Sequence, residues 1–274
     1  MIKVNNEIIN IEHFPDGTQK LSVESMWRAS GDYSIDWRYE KEEELSTLIY
    51  ITRHLRNNPY TKSVRLKMNY LPNARMDRIH ERDEVFTLKS FADVINWLDF
   101  DLVTILDTHS NVGVALIDNV ITETPKIYIN EVIKQIEKDN TDLILYFPDE
   151  GAAKRYSDMF PRYKYCYGEK KRDWDTGKIL GLDIKSNGIN LSGKTVLMID
   201  DIIAYGGSLY YSANTLKENG VDKIYAFATH TENSVLDREN GTLIKSLENN
   251  TVERLFTTNS IFTGEHVKIT VMEV

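Results

Sequence analysis

The residues with the clearest chemistry stand together in Val196-Leu-Met-Ile-Asp200-Asp201-Ile-Ile-Ala204-Tyr205-Gly206-Gly207-Ser208. An apolar strand delivers two adjacent acids, and a glycine turn then opens a helix. Carboxylates accept hydrogen bonds from vicinal hydroxyls. Glycines let backbone amides come close to a ligand, and a helix N-terminus favours a phosphate. In open α/β sheets, ligands gather at this carboxyl edge of the strands. The plainer alternative is an acidic N-cap before a tight turn, which the length of the whole string disfavours.

Two further groups follow apolar strands. His109 comes after Leu102–Leu106 and Asp149 after Leu143–Phe147. Both should emerge at a sheet edge, where an imidazole and a carboxylate could hold a divalent cation directly or through water. A lone histidine is more often structural, and the matching second strand end shifts the balance. Tyr167–Lys178 is polar and basic, with Lys170, Lys171 and Arg172; alone it would be a solvated hairpin loop. Gly188–Thr195 matches the nucleotide-binding P-loop letter for letter. A working P-loop follows a strand and opens a helix, whereas here Lys194 and Thr195 run straight into strand Val196–Ile199, so the segment is expected to be a polar turn.

These residues need a scaffold, and the composition permits an ordinary globular one. Of 274 residues, 41% are hydrophobic and 27% charged, which fits one large or two small domains. A net charge of -9 argues against general affinity for nucleic acid or anionic membrane. No apolar run approaches the roughly 20 residues that span a bilayer, and Met-Ile-Lys-Val-Asn-Asn-Glu lacks the build of a secretory signal, so a cytoplasmic location is expected. The single cysteine, Cys166, has no internal partner and is read as incidental in the strand-like Lys164–Tyr167.

Strands and helices alternate along the chain. Val64, Leu66, Met68 and Tyr70 alternate with polar residues as a strand with one buried face; Leu88, Phe91, Ala92 and Ile95 follow helical spacing. Glu40–Arg56 is expected to be an amphipathic helix with an acidic first turn. Later units comprise a helix around Val132, Ile133 and Ile136, strand Leu143–Phe147 and a helix from Gly151. Strand Val196–Ile199, a helix marked by Leu209, Ala213 and Leu216, and strand Ile224–Ala228 follow. Continuous apolar strands in such units imply mainly parallel sheets flanked by helices. The chain is divided near Thr124-Pro125 into two similar α/β domains, 1–125 and 126–274, with the last strand free to pack back on the first.

At several places in chain order the sequence resembles the ribose-phosphate diphosphokinase family, of phosphoribosyltransferase-type fold. His13-Phe14-Pro15-Asp16-Gly17 looks like the family segment that contacts adenine from a neighbouring subunit, and Asn73-Ala74-Arg75-Met76-Asp77-Arg78 like its ATP-binding turn. Asp107-Thr108-His109 and Pro148–Arg155 resemble its histidine- and aspartate-containing strand ends. Thr229-His230 and Thr257–Ser260 resemble two later ones. The resemblance implies transfer of the ATP diphosphate to the anomeric hydroxyl of a 5-phosphorylated ribose, with AMP released, and homo-oligomers sharing adenine sites. It implies Mg²⁺ at His109 and Asp149, with Phe14, Asp16, Arg75, Asp77 and His109 on ATP. Asp200 and Asp201 would hold the ribose hydroxyls, and Ala204, Tyr205, Gly206, Gly207 and Ser208 would line the sugar-phosphate loop. Lys170 and Arg172 match the family's flexible catalytic loop, where cations neutralise charge in the transition state.

The chain is a divergent, shortened member by this resemblance. Family members usually carry Asp-Thr where this chain has Ala204-Tyr205, glutamate at Thr18 and glutamine at Met76. Losing a carboxylate and gaining an aromatic ring beside the phosphate loop suits a ribose whose phosphate bears a further group. The acceptor is therefore expected to be ribose 5-phosphate, as in nucleotide biosynthesis, or ADP-ribose, as in NAD metabolism. A phosphoribosyltransferase would explain the acid–glycine string but leave Arg75, Asp77, His109 and Asp149 without a joint role. A non-catalytic regulatory relative would be expected to lose its loop cations or metal residues, all of which are present.

Overall fold

The computed structural model describes residues 1–23, 31–79, 81–138, 142–172 and 179–274, with side chains at 170–172 and 179–181 outside that description. The chain divides into two compact units, Met1–Thr124 and Pro125–Val274.

In the first unit the described strands are β1 (Ile2–Val4), β2 (Glu7–Ile8), β3 (Ile11–His13), β4 (Gln19–Leu21), β5 (Gly31–Trp37), β6 (Thr61–Met68), β7 (Leu102–Leu106) and β8 (Val120–Glu123). The sheet order is β2-β1-β5-β6-β7-β8. β5 to β8 are parallel, and β1 runs antiparallel to β5. Helices α1 (Glu44–Arg56), α2 (Thr87–Trp97) and α3 (Asn111–Leu116) connect them. Alternation in β6 buries Val64, Leu66 and Met68 and exposes Arg65. Helix α1 starts at Glu44, four residues later than the sequence pattern suggests. The Glu44 carboxylate accepts the indole N–H of Trp37 and the backbone N–H of Glu40, each at 2.9 Å. Those bonds hold Glu40 beside the helix start, so residues 40–43 precede α1 without joining it, and Glu43 at the N-cap makes no side-chain capping bond.

The second unit holds α4 (Lys126–Glu137), β9 (Leu143–Phe147), α5 (Glu150–Tyr156), β10 (Tyr165–Arg172), β11 (Ile179–Lys185), β12 (Thr195–Ile203), α6 (Gly207–Glu218), β13 (Lys223–Thr231), α7 (Leu243–Glu248), β14 (Arg254–Thr258) and β15 (Ile269–Met272). Its sheet order is β11-β10-β9-β12-β13-β14-β15, parallel except for the β10–β11 hairpin. The last strand is hydrogen-bonded into this second sheet beside β14, from Leu255↔Ile269 to Thr258↔Met272, and not into the first.

Burial on both faces explains the unbroken apolar runs. Ile144, Tyr146, Val196 and Met198 pack toward Leu209, Ala213 and Leu216 of α6. Leu145, Phe147, Leu197 and Ile199 pack on the other face with Ile129, Val132 and Ile133 of α4 and Ala152, Ala153 and Tyr156 of α5. Adjacent residues of one strand thus serve different layers.

Candidate active site

The strand ends of the second sheet build the richest site. β12 runs four residues further than its apolar core Val196–Ile199, because Asp200, Ile202 and Ile203 still pair with Ala228, His230 and Thr231. The two acids therefore sit within the strand. Strand alternation starts their side chains on opposite faces. Asp201, only 7% exposed, serves the α5 face, where Arg155 Nη1 donates to its Oδ2 at 3.1 Å. Asp200 lies on the α6 face, half-buried, and accepts the backbone N–H of Asp201 at 2.9 Å. Burial pushes the Asp200 carboxyl well above the usual carboxylate range; the charge and hydrogen bond of Asp201 add to the rise, as does the charge of Asp149.

The glycine turn has a defined shape. Gly206 adopts φ 83° and ψ 22°, a left-handed conformation at the N-cap of α6. A Cβ there would also collide with Leu243. The Tyr205 carbonyl accepts from Thr242 N (2.9 Å), Thr242 Oγ1 (3.0 Å) and Leu243 N (3.2 Å), so the segment entering α7 holds the turn. The Tyr205 ring is 46% exposed. α6 begins at this turn, and a helix N-terminus favours an anion.

Asp149 follows β9 and caps α5, its Oδ1 accepting Ala152 N at 2.9 Å. Its other oxygen is the one that could meet a cation. β10, parallel to β9, leaves the same sheet edge. Lys170 and Arg172, expected on a loop, lie on strand β10 opposite Leu182 and Ile179, with a bulge between Lys171 and Arg172. The backbone ladder of β10 and β11 extends further than the polar composition suggests. The Lys170 and Arg172 side chains and residues 173–178 lie outside the described residues. At the ends of β13 and β14, buried His230 Nδ1 meets Ser260 Oγ at 2.8 Å, and Thr257 Oγ1 donates to Thr231 Oγ1 at 2.8 Å.

In the first unit, parallel β6 and β7 bring the Asn73–Arg78 turn and His109 to one edge. Asn73 takes φ 62°, and Met76 N donates to its carbonyl at 2.9 Å. Ala74 is buried while Arg75 is exposed. Buried Asp77 accepts from Arg78 Nε at 2.9 Å. That bond, with Ser110 and the charges of Arg78 and His109, holds the Asp77 carboxyl below its ordinary value against desolvation. Phe14 is 51% exposed at the tip of the β3–β4 hairpin. Asp16 Oδ1 accepts from Thr18 N (3.0 Å) and Thr18 Oγ1 (2.7 Å), so Asp16 closes the turn and its carboxyl is held low. Thr18 thus has a structural use where the family usually has glutamate.

The P-loop-like segment is a turn. Gly188 and Gly193 have φ 80° and 71°, Gly193 N donates to Gly220 O at 2.8 Å, and Lys194 pairs with Asp142 before β12 begins. Buried Cys166 is shielded in β10, its thiol pushed up to about 12 by desolvation. Sequence reasoning missed Arg155 as the partner of Asp201 and assigned nothing to Tyr146 or Ser212. Nothing in the spacing links positions 46 apart. Among the described residues, no group of three or more His, Cys, Asp or Glu side chains could hold a metal ion, and no helix is long and apolar enough to cross a membrane.

Mainly parallel sheets flanked by helices, with an acid–glycine strand end, give the chain a phosphoribosyltransferase-type fold. Residues 187–272 match the phosphoribosyl synthetase-associated domain. The ribose-phosphate pyrophosphokinase of Sulfurisphaera tokodaii is 27% identical over 97% of this chain and 89% of its own length. That of Bacillus subtilis is 27% identical over 95% of this chain and 79% of its own. The crystal structure of phosphoribosylpyrophosphate synthetase from Mycobacterium smegmatis superposes with a TM-score of 0.75 at 18% identity, covering 97% of this chain and 86% of that one. The chain is thus similar to ribose-phosphate pyrophosphokinases over nearly its whole length.

Proposed function

We infer that the chain is an ATP-dependent diphosphotransferase acting on a 5-phosphorylated ribose. The acceptor's anomeric C1 oxygen attacks the β-phosphorus of ATP, the bond from that phosphorus to the α,β-bridging oxygen breaks, and AMP leaves. The observation that carries this reading is the end of β12, where Asp200 and Asp201 lead directly into the left-handed Gly206 turn and the N-terminus of α6. That order suits a sugar diol followed by its phosphate. The relatives' shared name, ribose-phosphate pyrophosphokinase, supports the same donor and reaction.

Such a transfer asks the protein mainly for alignment and charge stabilisation. Asp200 and Asp201 hold the ribose hydroxyls, and Gly206, Gly207 and Ser208 hold the phosphate. Arg75, Asp77, His109, Phe14 and Asp16 form the ATP side, and Lys170 and Arg172 stabilise the transition state. Mg²⁺ suits the donor set, since it usually takes one or two protein ligands and keeps substrate phosphates and water for the rest. Asp149, with one oxygen committed to its helix, would offer its other to the ion, and His109 is the candidate ligand of the first unit; the ion would supply neutralisation of phosphate charge. The adenine site is completed across a homo-oligomer.

Within this reading Tyr205 favours ADP-ribose as acceptor. Its carbonyl is tied down by Thr242 and Leu243 while its ring is 46% exposed, which leaves an aromatic face beside the phosphate turn. Such a face stacks on a base, a contact worth about 1–3 kcal/mol in nucleic-acid complexes. AMP release from Mg-ATP, measured with ribose 5-phosphate and with ADP-ribose, tests both levels. Turnover of neither sinks the diphosphotransferase; exclusive use of ribose 5-phosphate sinks the larger acceptor.

A further inference from the structure

Beneath the phosphate turn lies a buried hydroxyl chain that the function above does not use. Tyr146, next to the carboxyl end of β9 and fully buried, has its hydroxyl 2.7 Å from Ser212 Oγ; Ser212, on the buried face of α6, has its hydroxyl 2.8 Å from the Ser208 carbonyl oxygen. The proton directions are forced. A carbonyl can only accept, so Ser212 spends its single proton on Ser208, and Tyr146 must be the donor to Ser212. Burial raises the Tyr146 hydroxyl far above its ordinary value, with Ser212 only partly opposing, so it stays a donor at every working pH.

Ser208 is the second residue of α6 and belongs to the phosphate turn itself. Its carbonyl therefore receives a side-chain bond that reaches back across the sheet to β9. β9 is also the strand that delivers Asp149. The hydroxyl touches a third element: a Cβ at Gly168 in β10 would collide with it and stand 2.7 Å from the Pro148 carbonyl. One hydroxyl thus meets the strand leading to Asp149, the strand carrying the backbone of Lys170 and Arg172, and the first turn of α6. Around the hydroxyls that face carries apolar Ile144, Met198, Leu209 and Ala213, with Asp200 further along β12. Those contacts hold α6 against the sheet, whereas directional hydrogen bonds define its height and rotation.

We propose that Tyr146 is a positioning residue for acceptor binding: acting through Ser212, it sets the first turn of α6 so that the Gly207 and Ser208 amides receive the acceptor's phosphate. This deepens the diphosphotransferase reading and rests on it. Tyr146→Phe keeps the ring and leaves Ser212 still bonded to Ser208, so the fold should be little disturbed. Ser212→Ala leaves the Tyr146 hydroxyl buried without its acceptor, a larger disturbance.

The test is steady-state kinetics of the full chain with Mg-ATP and the preferred ribose phosphate, alongside thermal melting. Tyr146→Phe should raise the acceptor KM about fivefold, the worth of one net hydrogen bond, and leave the ATP KM unchanged. Ser212→Ala should do the same with a lower Tm, Ser212→Thr should restore the acceptor KM, and the double variant should be no worse than Ser212→Ala. Lowered Tm with an unchanged acceptor KM in both single variants overturns the proposal. Absence of AMP release by the unaltered protein with any ribose phosphate would instead overturn the reaction on which it rests.

Discussion

Arg155 Nη1 donates to Asp201 Oδ2 at 3.1 Å, joining the last turn of α5 to the β12 strand end across a gap of 46 residues. The pair gives two adjacent acids different conditions. Asp201 is ion-paired and nearly buried, while Asp200 has a carboxyl raised by desolvation and by its neighbour. One carboxyl is thus held as an ion-paired anion, and the other is held toward its protonated form.

Removing the guanidinium should therefore weaken the acceptor site more than the donor site. Arg155→Gln is expected to lower stability by about 1–2 kcal/mol, less than for a fully buried pair because Arg155 is about a third exposed. Acceptor KM should rise by about tenfold at a similar energetic cost. Chemical denaturation and initial rates measure the two effects; equal loss of donor and acceptor affinity would contradict the assignment.

The Asp200 carboxyl carries a pH signature. Its folded-state pKa lies above the ordinary 3.8, so the folded protein binds that proton more tightly than the unfolded chain. The resulting stability is full below about pH 3.8 and is lost as pH rises through the folded value. Asp200→Asn is expected to gain in Tm relative to the unaltered protein as pH rises toward neutrality, while losing acceptor turnover. Melting curves from pH 4 to 8 read the difference; a constant gap between the two proteins would show that Asp200 is not raised.

Gly206 has two independent reasons to be glycine, its φ of 83° and the Leu243 side chain where a Cβ would go. Gly206→Ala should cost roughly 1–3 kcal/mol from backbone strain alone, and more from the clash. The Tm should fall and acceptor binding, followed calorimetrically, should disappear before ATP binding does. Retained acceptor affinity would mean that the turn does not hold the phosphate.

Lys170→Ala should separate binding from chemistry. A cation that acts on charge developing in the transition state lowers turnover by about 10²–10³-fold when removed, with ATP affinity nearly intact. Single-turnover AMP formation and equilibrium ATP binding make the comparison. Unchanged turnover would favour a regulatory protein over an enzyme.

Much of the scaffold was legible one-dimensionally. Val64, Leu66 and Met68 show the two-residue period of a strand, Leu209, Ala213 and Leu216 the longer period of a helix, and Leu143–Phe147 the unbroken run of a strand covered on both faces. Asp200, Asp201 and Gly206 announced themselves because an apolar run is followed by an acid pair and a glycine turn, whereas the left-handed backbone of Gly206 is a finding of the structure. Less legible were boundaries set by partners. Helix α1 begins at Glu44 because Trp37 claims that carboxylate, and β12 extends to Ile203 because β13 continues beside it.

The sequence by itself determined which residue types reach the carboxyl edges and which turn must be glycine, since these follow from local periodicity and backbone conformation. Only the tertiary structure decided that Asp201 belongs to Arg155, that Asp200 lies under the α6 face, and that Tyr146 bears on Ser208 through Ser212. The physical reason is that hydrogen bonds and desolvation depend on distances in space. Residues 46 and 66 positions apart become neighbours only when parallel strands and their covering helices bring them within bonding range.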